Sequence, residues 1–143
     1  MAEKHLWATL RDALKPYGHF DRIENMVGRG RPDVNYCVRG CSGDIELKQL
    51  PAWPAHSDTV VKVDHFSPQQ RLWLRQRCAA GGTVFVLLEV VKPTPVYLLL
   101  RGAWARLHLG LTATQQQLRD AAVVTGDGRF PTKDILTELW RHA

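Results

Sequence analysis

The chain has 143 residues, a length typical of one domain, and 45% of them are hydrophobic against 23% that are charged. This balance excludes an intrinsically disordered chain and is typical of a protein with a single buried core. The formal net charge is +5. An excess of positive charge favours polyanionic partners such as nucleic acid, because bound phosphates release their counterions.

The cysteine pattern and the apolar runs indicate the compartment. The three cysteines, Cys37, Cys41 and Cys78, are odd in number and contain no CxxC pair, which argues against a disulfide framework or a zinc ribbon. The first residues lack the apolar core of a signal peptide, and the longest apolar run, 84–91, is interrupted by Glu89. We therefore expect a soluble, cytoplasmic protein without a membrane partner.

The first half of the chain predicts a helix followed by a strand hairpin. Apolar residues recur at spacings of three and four through Leu6, Trp7, Leu10, Ala13 and Leu14, which indicates an amphipathic helix that ends at Pro16 and Gly18. A glycine- and arginine-rich loop, 27–32, then leads into a predicted strand at 33–38, a hairpin loop at 40–43 and a second strand at 44–48.

The second half predicts further helices and two more strands. Ser67, Pro68 and Gln70 form the pattern of a helix start, with Ser as N-cap, and the helix should run to about residue 80. The remaining predicted elements are a possible short strand at 59–63, strands at 83–91 and 96–100, and helices at 113–121 and 133–140. This order predicts an α/β fold in which helices flank a mixed sheet, formed as a single domain over residues 1–143.

Three ionisable side chains carry the chemical prediction. Asp33 opens one predicted strand and Glu46 lies on its hairpin partner, so their carboxylates can meet across the ladder. Lys48 points to the same side as Glu46 because side chains alternate along a strand. Converging carboxylates are the ligands that Mg²⁺ prefers, and such an ion can drive phosphodiester hydrolysis while Lys48 orients or polarises the attacking water.

Each of these residues also has an ordinary structural interpretation. Glu46 and Lys48 could be a solvent-facing pair on an edge strand. Asp33 could simply end the turn after Pro32. Asp44 shares the face of Glu46 and could serve as an alternative ligand, although its place at the mouth of the hairpin favours exposure to solvent.

The spacing of these residues resembles the PD-(D/E)XK nuclease superfamily. Pro32-Asp33 is followed at Glu46 to Lys48 by an E-x-K triplet, which matches the superfamily pattern. The resemblance implies a restriction-endonuclease-like αβββαβ core over residues 1 to about 101. The segment 102–143 lies outside it and is expected to be a helical C-terminal extension.

Within the superfamily, the sequence looks like phage-type Holliday-junction resolvases and the related VRR-Nuc domains. The matching stretches are RIEN at 22–25, the loop that leads to Asp33, and SPQQRLWL at 67–74. By this resemblance, Glu24 completes the catalytic and metal-binding set, and the backbone carbonyl of Leu47 is a further ligand of Mg²⁺ or Mn²⁺. Gln70 matches a glutamine that such enzymes place near the site.

The expected DNA contacts are basic residues around the acids. They come from the loop before Asp33 and from the helix that begins after Ser67; together with Gln70 they are Arg29, Arg31, Arg71 and Arg75. The resemblance also implies a homodimer, and the amphipathic C-terminal helix is our candidate for its interface.

The sequence as a whole predicts a metal-dependent DNA endonuclease that hydrolyses phosphodiester bonds and prefers branched DNA such as Holliday junctions. Two alternatives remain open. One is a non-specific or nicking nuclease of the same superfamily, and the other is a DNA-binding factor that lacks catalysis. Retention of all four residue types, Glu24, Asp33, Glu46 and Lys48, argues against the second, because DNA binding alone would be helped by losing the acids.

Overall fold

The structure, a computed structural model, describes residues 2–23 and 30–141, with the backbone alone for residues 2–4. The helices in this part of the chain are α1 (Ala2–Leu14), α2 (Pro68–Ala79), α3 (Gly102–His108), α4 (Gln115–Ala121) and α5 (Thr132–Trp140), with a short 3-10 turn at Lys15–Tyr17. The strands are β1 (His19–Arg22), β2 (Val34–Val38), β3 (Cys41–Ala52), β4 (Val84–Lys92), β5 (Val96–Arg101) and β6 (Val124–Asp127).

The six strands form one sheet in chain order, from β1 at one edge to β6 at the other. Neighbouring strands are antiparallel except β3 and β4, which are parallel and are connected through α2. A parallel pair needs such a crossover connection, and here it brings α2 back across the sheet. The protein is therefore an α/β protein with a mixed sheet flanked by helices, as the sequence predicted at this level.

Each face of the sheet buries its own hydrophobic cluster. Odd-numbered residues of β3 and β4, such as Ile45 and Leu87, pack with residues of α1 and α5. Even-numbered residues such as Val86 and Leu88 pack with residues of α2, α3 and α4. Because side chains alternate along a strand, Glu46 and Lys48 lie on the second face, under α2.

The hairpin between β2 and β3 is tighter than predicted. The expected loop at 40–43 is wrong, because Val38 pairs with Cys41 and only Arg39 and Gly40 connect the strands. Both connecting residues have positive φ, 50° and 82°, the geometry of a two-residue turn that matches the twist of a hairpin. Asp44 consequently lies inside the strand pairing and is buried, not exposed at the hairpin mouth.

Other elements also differ from the prediction. The expected strand at 59–63 is reduced to one bridge between Val60 and Thr114. The helix expected at 113–121 begins later, since Thr114 caps α4 and Gln115 is its first residue. The segment after Arg101 is not purely helical, since β6 pairs with β5 and extends the sheet.

The C-terminal helix α5 turns its apolar face inward. Ile135 and Leu139 are buried in the cluster shared with α1. Trp140 packs partly against the same cluster and lies beneath the guanidinium of Arg39, 3.5 Å from the ring centroid. The apolar face that we expected to form a dimer interface is thus used within the chain.

None of the helices within residues 2–23 and 30–141 is both long enough and apolar enough to cross a lipid bilayer.

Candidate active site

Glu46 and Lys48 form an ion pair in the interior of the protein. Lys48 Nζ lies 2.9 Å from Glu46 Oε2, and both residues are only 2% exposed. Charged side chains are rarely buried to this degree, because the loss of hydration must be offset by close partners. The surface-pair interpretation of these two residues is therefore wrong.

The first turn of α2 and the two residues before its cap, Ser67, supply the remaining partners of Lys48. Its Nζ donates to the backbone carbonyl of His65 at 2.9 Å and to Gln70 Oε1 at 3.4 Å. The ammonium also lies 5.0 Å from the centroid of the Phe66 ring. A lysine has three N–H donors, and each has an acceptor here.

Asp33 lies next to this pair, as the sequence predicted. Val34 is opposite Ile45 in the antiparallel ladder, so Asp33, one residue earlier, faces Glu46. Asp33 Oδ2 accepts a hydrogen bond from the backbone amide of Leu47 at 2.9 Å. This contact fixes the half-buried Asp33 carboxylate against β3, on the side of Glu46 and Lys48.

The two oxygens of the Glu46 carboxylate have different surroundings. Oε2 accepts from Lys48 and, at 2.8 Å, from Gln70 Nε2. Oε1 is buried and has no hydrogen-bond partner among the described residues. Burial and the negative charge of Asp33 together raise the pKa of Glu46 from 4.5 to about 8, although Lys48 acts to lower it.

The predicted arginines differ in their exposure to solvent. Arg31 and Arg75 are exposed to solvent. Arg71 instead donates to the backbone carbonyls of Arg106 and Leu109, at 2.8 Å each, and so ties α2 to α3. This structural use leaves the Arg71 guanidinium fewer donors for DNA.

Gly30, three residues before Asp33, lies against the first turn of α2. Gly30 has φ of +89°, and a Cβ at this position would lie 2.6 Å from the backbone carbonyl oxygen of Gln69. Only glycine meets both constraints without strain.

Two predicted site residues, Glu24 and Arg29, lie outside the described residues. Within the described part of the chain, no three His, Cys, Asp or Glu side chains are grouped as a metal site. Of the predicted ligands, Asp33 and Glu46 are brought together. A role for the Leu47 carbonyl stays a prediction, since the contact at this residue is made by its amide.

Sequence reasoning missed the contribution of His65. Its backbone carbonyl holds Lys48, and its φ is +63°, in the left-handed region that residues other than glycine rarely adopt. Its side chain is exposed. A backbone acceptor leaves no mark in the residue types, so no pattern of side chains could have identified it.

Comparisons with known proteins leave the family open. No protein-family model matches the sequence, and no curated protein is similar to it at a significant level.

We predict a pH dependence of stability that Glu46 causes. Because its pKa is about 8 in the folded protein, folding takes up a proton between pH 4.5 and 8, and its stabilising contribution is lost as pH rises through this window. Without divalent cations, the free energy of unfolding of the wild type should fall relative to Glu46→Gln, by up to about 1.4 kcal/mol per pH unit. Urea denaturation between pH 5 and 8 measures the free energy of unfolding of the wild type and of Glu46→Gln. If the two free energies change in parallel with pH, the raised pKa of Glu46 is contradicted.

We also predict that backbone strain at His65 is measurable. His65→Gly should be more stable than His65→Ala by about 1 kcal/mol, because only alanine retains a Cβ at positive φ. Both variants lack the imidazole, so the pair isolates the backbone effect in urea denaturation. Equal stability would show that residue 65 does not hold a left-handed conformation.

Proposed function

We propose that this protein is a metal-dependent endonuclease that hydrolyses phosphodiester bonds in DNA. The observation that carries the proposal is the Glu46 carboxylate, which is buried beside Asp33 with Oε1 unpartnered. An arrangement of this kind is costly for stability, since two nearby carboxylates repel each other and a buried polar atom lacks a hydrogen bond. Such strain is typical of a site that awaits a cation.

The donor set fits a hard divalent cation. Asp33 and Glu46 would hold Mg²⁺ or Mn²⁺ through carboxylate oxygens, and the resemblance noted above adds Glu24 and the Leu47 carbonyl. When bound, such an ion makes water a stronger nucleophile and stabilises the charge that develops on the phosphate. The unpartnered Oε1 of Glu46 is the atom that gains most from a ligand.

Lys48 is placed to act on the nucleophile through one replaceable contact. Its bonds to Glu46 and to the His65 carbonyl are each 2.9 Å, whereas the bond to Gln70 Oε1 is 3.4 Å and weaker. Exchange of this long bond for a water or a phosphate oxygen would leave Lys48 anchored by its two short bonds. Lys48 would then orient the attacking water, the role that the sequence predicted.

The order of elements supports the same class. Apart from the 3-10 turn at Lys15–Tyr17, the described elements from α1 to β4 run α, β, β, β, α, β, the order that the PD-(D/E)XK superfamily would require. Asp33 directly precedes β2, and Glu46 and Lys48 lie on the next strand, β3, the placement that the resemblance implies. We therefore propose a restriction-endonuclease-like core, with β5 and the later elements added to it.

DNA is the proposed polyanionic substrate, and branched DNA the proposed preference. The net charge of +5 and the exposed Arg31 and Arg75 suit contact with a phosphate backbone, which guides binding without reading sequence. The preference for branched DNA and the homodimer rest on the resemblance to resolvases alone.

We predict metal-dependent cleavage of DNA that requires both Glu46 and Lys48. Labelled four-way junction, nicked, linear duplex and single-stranded DNA should be incubated with Mg²⁺, Mn²⁺ or chelator. The wild type should cut only with metal, and Glu46→Gln and Lys48→Ala should each lower the rate at least about 100-fold.

Glu89→Gln is the matched control. Glu89 is also buried, at 3% exposure, and bonds to a glutamine, Gln49, but it lies on the opposite face of the sheet. This variant should cut at the wild-type rate. DNA binding without cleavage under either metal would reject the nuclease and favour the DNA-binding factor.

A further inference from the structure

The helix α2 begins with a reciprocal capping box. Ser67 Oγ accepts a hydrogen bond from the backbone amide of Gln70 at 3.1 Å. In return, Gln70 Oε1 accepts from the backbone amide of Ser67 at 2.8 Å. The two bonds satisfy amides that would otherwise lack partners at the helix start.

The same glutamine side chain also reaches Glu46 and Lys48. Its Nε2 donates to Glu46 Oε2 at 2.8 Å, and its Oε1 accepts from Lys48 at 3.4 Å. Because Oε1 must face the donors of Ser67 and Lys48, the NH₂ group can only face the Glu46 carboxylate. The capping box therefore fixes which end of the amide meets Glu46.

We infer that Ser67 is a positioning residue for the site, which acts by holding Gln70 in the orientation that places the Glu46 carboxylate. This inference rests on the proposed nuclease function for its kinetic consequence. Without the Ser67 hydroxyl, the first turn of α2 loses its cap and the Gln70 side chain gains alternative rotamers. Glu46 Oε2 then keeps Lys48 but loses the second donor that fixes its plane.

The chain provides a matched control in α4. Thr114 and Gln117 form the same reciprocal box, with Gln117 Oε1 accepting from the Thr114 amide at 2.9 Å. Gln117 is exposed to solvent and Gln70 is half-buried. The two caps thus share their chemistry and differ in what the glutamine touches.

The test compares Ser67→Ala, Ser67→Thr and Thr114→Ala with the wild type. Melting temperature reports the loss of each cap, and steady-state cleavage of DNA with Mg²⁺ gives kcat and KM. A third measurement uses the metal-free protein, where the exchange rate of the Gln70 side-chain amide hydrogens is followed by NMR. Gln70→Glu is added because glutamate keeps the capping box but removes the donor to Glu46.

The two alanine variants should melt at similarly reduced temperatures, since each loses one cap. Of these two variants, only Ser67→Ala should lower kcat, by about tenfold with little change in KM. Only Ser67→Ala of the two should accelerate hydrogen exchange at the Gln70 side-chain amide. Ser67→Thr should have the wild-type kcat and the wild-type exchange rate of the Gln70 amide, because threonine also caps a helix. Gln70→Glu should lower kcat although the cap is kept, and its melting temperature should fall because a second carboxylate then lies beside Glu46.

The outcomes separate this inference from the proposed function. If the wild type cuts DNA and Ser67→Ala retains its kcat, or Thr114→Ala loses as much, the positioning role is rejected and the nuclease stands. If the wild type cuts no DNA, the nuclease is rejected, and amide exchange alone decides whether Ser67 holds Gln70. Unchanged exchange in Ser67→Ala would then overturn the inference as well.

Discussion

The buried ion pair of Glu46 and Lys48 sets the main constraint on this structure. A charge removed from water costs several kcal/mol, and the loss of one partner of a buried pair costs roughly 3–5 kcal/mol. The folded protein must therefore supply hydrogen-bond partners to Glu46 and Lys48. The strand that carries them cannot meet this need alone, because adjacent residues of β4 on that face, Val86 and Leu88, are apolar.

The crossover through α2 meets the need. The parallel pairing of β3 and β4 requires a long connection, and the helix in this connection, α2, begins over Glu46 and Lys48. The His65 carbonyl and the Gln70 amide are the polar groups that this helix start contributes. The Gln70 side chain thus caps the helix and also binds Glu46, while the His65 carbonyl binds Lys48. A helix start that moved by one residue would leave Glu46 and Lys48 without these bonds.

The sequence predicted those parts of the structure that local chemistry determines. Ser67, Pro68 and Gln70 encode a helix start within four residues, and the structure contains the full capping box. Alternation in β3 correctly put Glu46 and Lys48 on one face and Ile45 and Leu47 on the other. The convergence of Asp33 on Glu46 followed from antiparallel pairing.

Parts that depend on tertiary context were missed. The edge strand β1 is mostly exposed and lacks apolar alternation, and β6 contains Gly126, so neither has the usual pattern of a strand. The helix α3 begins directly after β5, so no loop residues mark its start in the sequence. The burial of Asp44 depends on contacts with Asn35 and with the carbonyl of Thr83, which local sequence does not reveal.

Anomalous diffraction from crystals grown with Mn²⁺ would show whether Asp33 and Glu46 bind a divalent cation. We expect a strong anomalous peak bonded to the carboxylates of both residues, with Glu46 Oε1 among its ligands. A map without a peak at these carboxylates, at a Mn²⁺ concentration that supports cleavage in solution, would contradict this expectation.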